Sequence, residues 1–475
     1  MVVQHNLSAM NANRMLGITQ GSLSKSTEKL SSGYKVNRAA DDAAGLSISE
    51  KMRKQIRGLD QASANAEDGI SAVQTAEGAL TEVHDMLQRM NELAVKASNG
   101  TMSLDDRQTV QDEVDQLLTE IDRVAETTKF NETYLLKGDT DTVTKRVQAH
   151  DAGLKGTMTQ NTYTATFAMD RLKIGDTISI GGTTYTIGSE SKANIATSVN
   201  NKLTAGKQVN IDGVQYTVAS KTLNNANVSK NILEAKDIKS MIESTTSSVG
   251  SVTVDGTTYY LMTDKDDTTA GTKKDGVDDV NKTVITTKHA YDMIKQELQN
   301  ASSLGATKKS ASVSIKTTDF SSTTSTVKFR ITKGEVDVKE SLNFALHVGA
   351  DADMNNKITV GIDALDTKGL GINGLNVKDS SGTAATYAID AIADAVAKVS
   401  AQRSALGAVQ NRLEHTINNL GNVVENTTAA ESQIRDTDMA TEMVKYSKNN
   451  ILQQAGQSML AQANQSNQGV LSLLG

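Results

Sequence analysis

Between Asp41 and Gly100, apolar residues recur at every seventh position, and this repeat limits the possible folds more than any other feature of the chain. Seven residues are almost two helical turns, so the repeat predicts a helix that packs lengthwise against other helices. One such helix would extend for roughly 85 Å. Paired aspartates suit its start, and Gly100 suits a left-handed residue that closes it. Gly58, Gly69 and Gly78 interrupt the pattern at about 1 kcal/mol each relative to alanine, so one helix and two helices both remain open. The seam consists of Met52, Leu59, Ala66, Val73, Leu80, Leu87 and Ala94.

The same spacing returns near both ends of the chain. Residues 1–32 carry a weaker repeat in a polar context, and residues 384–426 carry a stronger one. Ser103 and Asp106 resemble a capping box, which predicts a further helix antiparallel to the first rod. Residues 432–475 place apolar side chains among Asn and Gln, so we expect both chain ends to form amphipathic helices that are too weakly apolar to be stable alone. The further seam residues are Leu16, Leu23, Leu30, Leu406, Leu413, Leu420, Ile451 and Met459.

The middle of the chain has a different pattern, in which apolar and polar residues alternate. A ten-residue pattern occurs at 178–187, 209–218 and 252–261, each time with Gly-Gly or Asp-Gly at its centre. These dipeptides suit the tight turn of a β-hairpin. A helix-like segment follows each copy, so the sequence predicts three hairpin–helix repeats. Those segments lie near 191–204, 228–245 and 286–300, and further strands are expected at 327–331, 342–348 and 358–362.

We therefore expect a mainly α protein with an α+β insert. Long antiparallel helical rods from both chain ends form a coiled-coil-like bundle that carries a β-rich central region. The expected divisions are terminal helices at 1–40 and 432–475, a helical rod domain with a β element at 41–140 and 342–431, and an outer insert at 141–341.

Composition excludes several classes of function. The 475 residues carry a net charge of −7 with both signs interspersed, and they include no cysteine and no proline. No basic footprint points to nucleic acid, and the lack of cysteine excludes disulfides and thiolate chemistry. No apolar run is long enough to span a membrane, and a cleaved secretory signal is not expected. Without proline the chain avoids slow X–Pro isomerisation, and we hypothesise that it must fold quickly without helpers.

Motifs that would carry chemistry are incomplete. Residues 369–374 match G-x-G-x-x-G, but a dinucleotide site needs a helix directly after it, and 375–379 are predicted as a strand. Residues 351–355 begin like a calcium loop, but Asn356 and Ile362 stand where that loop needs glycine and glutamate. An Asx-rich turn is the better prediction there. We expect no enzyme, no cofactor and no metal.

The architecture itself indicates a function. Chain ends that cannot bury their own apolar stripes, attached to rods with sustained seams, favour packing against copies of the same chain. An interface between unlike surfaces that does not close produces an open helical filament. The residues therefore predict a self-assembling fibre subunit with the polar central region on the outside.

The residues also resemble those of a known family. Ser31–Arg53 resembles the N-terminal signature of bacterial flagellin, and three C-terminal segments are similar to that family: Gln410–Asn419, Ile434–Met439 and Ser458–Gln465. Residues 342–377 resemble the stretch with which the family re-enters its C-terminal half. The resemblance covers both ends, over half of the chain, and leaves out the insert.

The resemblance implies a secreted, extracellular subunit of the bacterial flagellar filament that serves motility. Its implied partners are other copies of itself, an export chaperone that binds a region similar to 432–475, and the filament cap and junction proteins. Nucleic acid and membrane are not among them. It also implies a contact for Toll-like receptor 5 on the rods, with Arg89 and Leu93 as anchors. The matching positions are Gln88, Arg89, Glu92, Leu93 and Glu113.

Two alternatives remain open at this point. A hook–filament junction protein shares the rods but usually matches the terminal motifs less closely. A flagellin whose insert is an enzyme is the other alternative, although no H-E-x-x-H motif is present to indicate a zinc protease.

Overall fold

The computed structural model describes residues 6–219, 231–244, 250–264, 274–315, 325–379 and 381–471. The helices are α1 Leu7–Ser32, α2 Ala43–Ala97, α3 Leu104–Thr127, α4 Lys192–Asn200, α5 Ala235–Ser244, α6 Thr287–Ser302, α7 Thr367–Leu370, α8 Thr383–Arg435 and α9 Met439–Leu471. The strands are β1 Lys129–Phe130, β2 Thr133–Tyr134, β3 Thr142–Arg146, β4 Thr157–Gln160, β5 Thr164–Asp170, β6 Thr177–Ile180, β7 Thr183–Ile187, β8 Gln208–Ile211, β9 Val214–Val218, β10 Ile232–Leu233, β11 Ser251–Val254, β12 Thr257–Tyr260, β13 Val284–Ile285, β14 Ser312–Ile315, β15 Thr326–Thr332, β16 Glu335–Lys339, β17 Leu342–His347 and β18 Lys357–Ile362.

The predicted mainly α fold with a β-rich central region is confirmed. The described residues form two compact units, one from Met1–Val73, Phe344–Val360 and Gly407–Gly475, the other from Gln74–Asn343 and Gly361–Leu406. Both α2 and α8 contribute to both units. The division into terminal, rod and outer domains stays a prediction.

The long heptad stretch is one helix of 55 residues, which answers the question that its glycines raised. Two of these glycines are places of close packing. A Cβ at Gly58 would lie 3.0 Å from the Cβ of Ala350, and a Cβ at Gly69 would overlap the Leu346 side chain. Gly78 is different, because no described atom lies within 4 Å of where its Cβ would be.

The ends of α2 are held by side chains. Asp42 Oδ1 accepts from the Gly45 N–H at 2.9 Å, as expected of an N-cap. The prediction for Gly100 is wrong, because its φ is not positive and the helix already ends at Ala97. Buried Arg107 caps this end instead, donating to the carbonyl oxygens of Ala97 at 2.8 Å and Asn99 at 3.1 Å. A guanidinium satisfies several terminal carbonyls at once, which a glycine cannot do.

In the first unit, α1 and α9 lie antiparallel. Asn6 Nδ2 donates to Ala463 O at 3.0 Å, and Ser26 Oγ donates to Glu442 Oε1 at 2.7 Å at the other end of the pair. The α2 and α8 segments of this unit pack on the strand region through Ala66, Leu413 and Val348. The C-terminal helix was expected to reach residue 475, of which 472–475 lie outside the described residues.

The second unit contains the rest of the rods, with α3 following α2 after a short connection. The predicted capping box is present, since Ser103 Oγ accepts from the Asp106 N–H at 3.1 Å and Asp106 Oδ2 accepts from the Ser103 N–H at 3.2 Å. Asp379 begins α8 by accepting from the backbone N–H groups of Gly382 and Thr383. Burial alone would raise the pKa of Asp379, but its hydrogen bonds, led by those from the Ser381 and Thr383 hydroxyls, lower it.

All three predicted hairpins are present, as β6–β7, β8–β9 and β11–β12. Their turn residues have positive φ at both central positions, at 58° and 75°, 46° and 89°, and 54° and 76°. That conformation follows the strand twist and requires Gly, Asn or Asp. The three predicted helices are present as α4, α5 and α6. The second prediction, 228–245, is wrong at its start, because Ile232–Leu233 pair with β9 as β10 and α5 begins only at Ala235; residues 228–230 and 245 lie outside the described residues.

The repeats are nested rather than arranged in series. The first hairpin pairs in parallel with distant β13, and its core includes α6 and the sheet β14–β15–β5–β4. In the sequence between β7 and β13, helices α4 and α5 pack on the five-stranded sheet β10–β9–β8–β11–β12. Thus α4 follows the first hairpin in sequence but contributes to the core of the second and third.

Two local predictions near the C-terminal rod have different outcomes. The stretch 375–379 is not a strand, since it follows α7 and a left-handed Gly371 as irregular backbone. The Asx-rich turn is confirmed, because Asp353 Oδ1 accepts from the Asn355 N–H at 3.1 Å. The predicted strands at 327–331, 342–348 and 358–362 correspond to β15, β17 and β18.

Candidate interaction surfaces

The paired terminal helices expose a large apolar surface. On α1, Leu7 is 73% exposed, and on α9, Val444 is 68% and Ile451 66% exposed. Scattered single exposures are normal, but a helix pair with this many exposed apolar side chains indicates a surface that another molecule covers. The exposed members are Leu7, Met10, Met15 and Ile18 on α1 and Met439, Met443, Val444, Ile451, Leu452 and Met459 on α9. We call these residues the terminal stripe.

Specific polar contacts link the two terminal helices. Glu442 is 5% exposed and accepts from Ser26, while Lys445 Nζ lies 3.1 Å from its other oxygen. Burial alone would raise the pKa of Glu442, but the hydrogen bonds from Ser26 and Lys445 lower it. Gln453 Nε2 donates to Gln20 Oε1 at 2.5 Å. The helices are thus aligned by specific polar pairs, which leaves the apolar residues free to face outward.

A joint that the heptad pattern did not predict connects the terminal helices to the rods of the first unit. Lys35 N–H donates to Arg435 O at 2.8 Å, and Tyr34 and Asp436 form an isolated β-bridge. The Arg435 guanidinium lies 4.7 Å from the Tyr34 ring centroid and 2.8 Å from Glu50 Oε1. These contacts join the segment that follows α1 to the segment between α8 and α9. The breaks in helical periodicity at 33–42 and 436–438 are the signal that could have indicated it.

The predicted seam residues separate into two groups. The rod residues Leu59, Val73, Leu80, Leu87, Leu406, Leu413 and Leu420 are buried within the chain. Leu16, Leu23, Leu30 and Met52 are half-buried, while Ile451 and Met459 are exposed. The buried group is therefore already packed, and only the second group has surface left for another subunit. Their role in assembly stays a prediction.

The second candidate surface surrounds Arg89 on α2. Its Nε donates to Glu113 Oε1 on α3 at 2.9 Å, and its Nη1 donates to Glu92 Oε2 at 3.1 Å. The Arg89 side chain remains 51% exposed. The hydrogen bonds that Arg89 donates to Glu113 and Glu92 raise the pKa of its guanidinium above the ordinary value. We call Arg89, Glu92 and Glu113 the arginine strip.

The other two predicted receptor positions are placed differently. Gln88 Nε2 lies 2.9 Å from His84 Nε2, so Gln88 lies on the same face of α2 as His84, one turn further along the helix. Leu93 is 3% exposed in the folded subunit. The predicted role of Leu93 as an anchor for the receptor stays a prediction. Its position in the heptad-rich stretch already indicated burial.

Comparison with known proteins finds matches at both helical ends of the chain. The family model described as bacterial flagellin N-terminal helical region matches residues 3–141, and the one described as bacterial flagellin C-terminal helical region matches 389–474. The flagellin of Clostridium tyrobutyricum is 38% identical over 471 residues, covering 98% of this chain and all of that protein. The flagellin of Bacillus subtilis strain 168 is 32% identical over 477 residues, with both chains fully covered. The chain belongs to the flagellin family.

Membership gives the coarse function. Flagellins are structural proteins that form the flagellar filament, so this chain is a filament subunit. Among solved structures, FliC from Burkholderia pseudomallei covers 72% of this flagellin and 99% of its own chain, at 18% identity and a TM-score of 0.26. A TM-score of this size adds nothing to the assignment. The two relatives named above are themselves flagellins, which favours the filament subunit over the junction-protein alternative.

Two further observations concern the described parts of this flagellin. No helix there combines the length and apolarity that crossing a bilayer would require. In the same ranges, no group of three or more His, Cys, Asp or Glu side chains is arranged to hold a metal ion.

Proposed function

We propose that this flagellin polymerises through the terminal stripe, and that the buried rod seams serve only to build each subunit. The exposure of the stripe supports this proposal most directly. At about 25 cal/mol per Å² of apolar surface removed from water, covering it would provide a large favourable term for association. The polar pairs between α1 and α9 would then set the orientation in which the stripe is presented.

Filament growth by variants tests the proposal. Replacing Val444 and Met459 together with asparagine places amides in the stripe, and we expect filament growth from purified protein to fail in light scattering and electron microscopy. Gln457→Asn is the matched control, since it puts the same amide on an exposed polar position of α9. Normal filaments from the double variant would contradict the proposal.

We also propose that the arginine strip contacts the neighbouring subunit in the filament and Toll-like receptor 5 when the subunit is free. Two carboxylates hold the Arg89 guanidinium in one orientation, which reduces the entropy lost on binding. Arginine with exposed donors is also common at the centre of interfaces. This proposal rests on the family resemblance of Gln88–Val95 and on the exposure of Arg89, Glu92 and Glu113.

A receptor assay with matched arginines tests this second contact. Arg89→Ala should weaken activation of cells that express Toll-like receptor 5. Arg123→Ala removes a similarly exposed guanidinium that pairs with Glu120 on α3, and it should leave activation unchanged. Equal responses from both variants would contradict the assignment. Export with a chaperone that binds within 432–475, and assembly with cap and junction proteins, complete the proposed extracellular role.

A further inference from the structure

A cavity of about 260 Å³ in the second unit is lined by five cationic side chains: Lys145, Arg146, Lys333, Lys368 and Lys398. The one carboxylate in its lining is Asp363. Buried Val147, Val336 and Val338 form an apolar wall beside these charges. A concentration of positive charge is unexpected in a chain whose net charge is −7, and an apolar wall strengthens its field.

Two of the five cations already have carboxylate partners. Arg146 Nη2 lies 2.8 Å from Glu335 Oε1, and Lys145 Nζ lies 3.9 Å from Asp363 Oδ1. Lys333, Lys368 and Lys398 have no carboxylate oxygen within 4 Å among the described residues. The cavity is therefore lined by three ammonium groups that lack a close ion pair among the described residues, and Asp394 acts on Lys333 and Lys398 only from beyond 4 Å.

Lys333 is the least expected of the three. Its side chain is 7% exposed, and the hydrogen bond from its Nζ goes to the neutral amide oxygen of Gln148 at 3.1 Å. An ammonium group offers three donors, and a buried charge without an ionic partner is costly. Burial lowers the pKa of Lys333, with Asp394 opposing the change. A bound anion would compensate for this cost.

Lys398 also lines the cavity. Its Nζ donates to Leu370 O at 2.8 Å and to Gly369 O at 3.3 Å, which holds the glycine loop 369–371 against the cavity. The N–H of Gly371 is occupied by the carbonyl oxygens of Thr367 and Lys368. The loop therefore gives the cavity its shape, and the lysine side chains remain as the donors for a ligand.

We propose that this cavity binds a small tetrahedral oxyanion of the phosphate or sulfate type. The volume lies below the roughly 300 Å³ at which pockets for drug-sized ligands begin, so it suits a single ion with a few waters. A compact ammonium pairs with such an ion as a point charge, and several together provide the charge-assisted hydrogen bonds that a dianion needs. The proposed site is distinct from the surfaces for assembly and receptor contact, since it shares no residue with the terminal stripe or the arginine strip.

Calorimetric titration of the full chain with sodium phosphate tests the proposal, against sodium chloride at matched ionic strength. We expect saturable binding of one phosphate per chain. Lys368→Gln should weaken it about tenfold, as expected for one charge-assisted hydrogen bond. Lys328→Gln removes an exposed lysine on β15 that does not line the cavity, and it should bind phosphate as the unmodified chain does.

A second variant uses the buried cation. Lys333→Met should abolish the rise in melting temperature that phosphate produces, because the buried ammonium group whose charge the anion compensates is gone. If this variant fails to fold, Lys368→Gln decides the question alone. Absence of saturable binding, or an equal loss in Lys368→Gln and Lys328→Gln, would overturn the proposal in favour of general surface electrostatics. A parallel titration with sodium sulfate establishes whether the site selects charge and shape or phosphate itself.

Discussion

The terminal helices and the rods share the same seven-residue apolar repeat, but they differ in how far the chain itself buries the repeating residues. In the rods, Leu80 and Leu87 are fully buried. In the terminal pair, Leu16 and Leu23 occupy equivalent spacing and stay half-buried, while Ile451 is 66% exposed. A seven-residue repeat therefore predicts a helix with an apolar face, but it does not tell whether that face is covered by the same chain.

The difference arises from what surrounds each repeat. The rods carry neighbouring apolar residues such as Ala76, Val83 and Met90 beside the seam, which widens the buried face. The terminal helices carry Ser, Asn and Gln at the corresponding flanks, so the face is a narrow stripe. A narrow stripe on two helices cannot enclose itself, whereas a wider face on several helices can.

The largest effect is expected in the rods. Leu80→Ala should lower the free energy of unfolding by about 2–5 kcal/mol, because it leaves a cavity at a fully buried position. Leu16→Ala, at the equivalent spacing in α1, should cost about 1 kcal/mol or less, because Leu16 is half-buried to begin with. Urea denaturation followed by circular dichroism, with hydrogen exchange to separate the two units, measures both. An equal loss of unfolding free energy in both variants would contradict the distinction between rods and terminal helices.

A smaller effect separates two glycines of the same helix. Gly78→Ala should stabilise α2 by up to about 1 kcal/mol, since space is open and alanine is the better helix former. Gly69→Ala should be destabilising by about 1 kcal/mol net, because the new methyl group displaces Leu346. Thermal melts of both variants test the sign. Stabilisation by both would mean that Leu346 can move aside without cost.

Protonation distinguishes the second unit from the terminal helices, since neither α1 nor α9 contains a histidine. His150 is buried, its Nε2 lies 4.0 Å from Asp394 Oδ2, and it also faces Asp390, Asp151 and Lys398. Burial lowers the pKa of His150 and outweighs the three carboxylates. Below about pH 6.5 the unfolded chain therefore binds a proton that the folded unit does not, and stability falls as the pH falls.

Replacing this histidine checks the sign. His150→Gln should reduce the loss of melting temperature between pH 7 and the lowered pKa of His150, whereas His415→Gln, at an exposed position, should not. Burial raises the pKa of Asp390, so that carboxyl contributes in the opposite direction, gaining stability as it takes up a proton at lower pH. An unchanged pH profile in His150→Gln would mean that another group controls this range.

The parts of the fold that could be predicted from the sequence are those that produce a local sequence pattern. The hairpin turns followed from two adjacent residues, and the rods followed from a repeat within one segment. Contacts between distant residues could not be predicted in this way. Arg107 on α3 caps α2, Arg435 stacks on Tyr34, and β13 pairs with β7, and none of these pairings leaves a periodic signal. At the candidate site, the receptor motif alone could not predict that Arg89 is half-exposed and Leu93 buried, because exposure depends on the packing of neighbouring helices, and the roles of both as contacts stay predictions.

The smallest effect on the isolated subunit is expected at the most exposed seam residue. Ile451→Ala should change the free energy of unfolding by no more than about 0.5 kcal/mol, because a side chain that is 66% exposed has little packing to lose. The same change should slow filament growth, since the side chain would be buried only between subunits. Denaturation of monomeric protein and seeded growth from filament ends measure the two effects on one variant. A loss of several kcal/mol in the monomer would show that Ile451 is covered by its own chain in solution, and the distinction between rods and terminal helices would then fail at its clearest point.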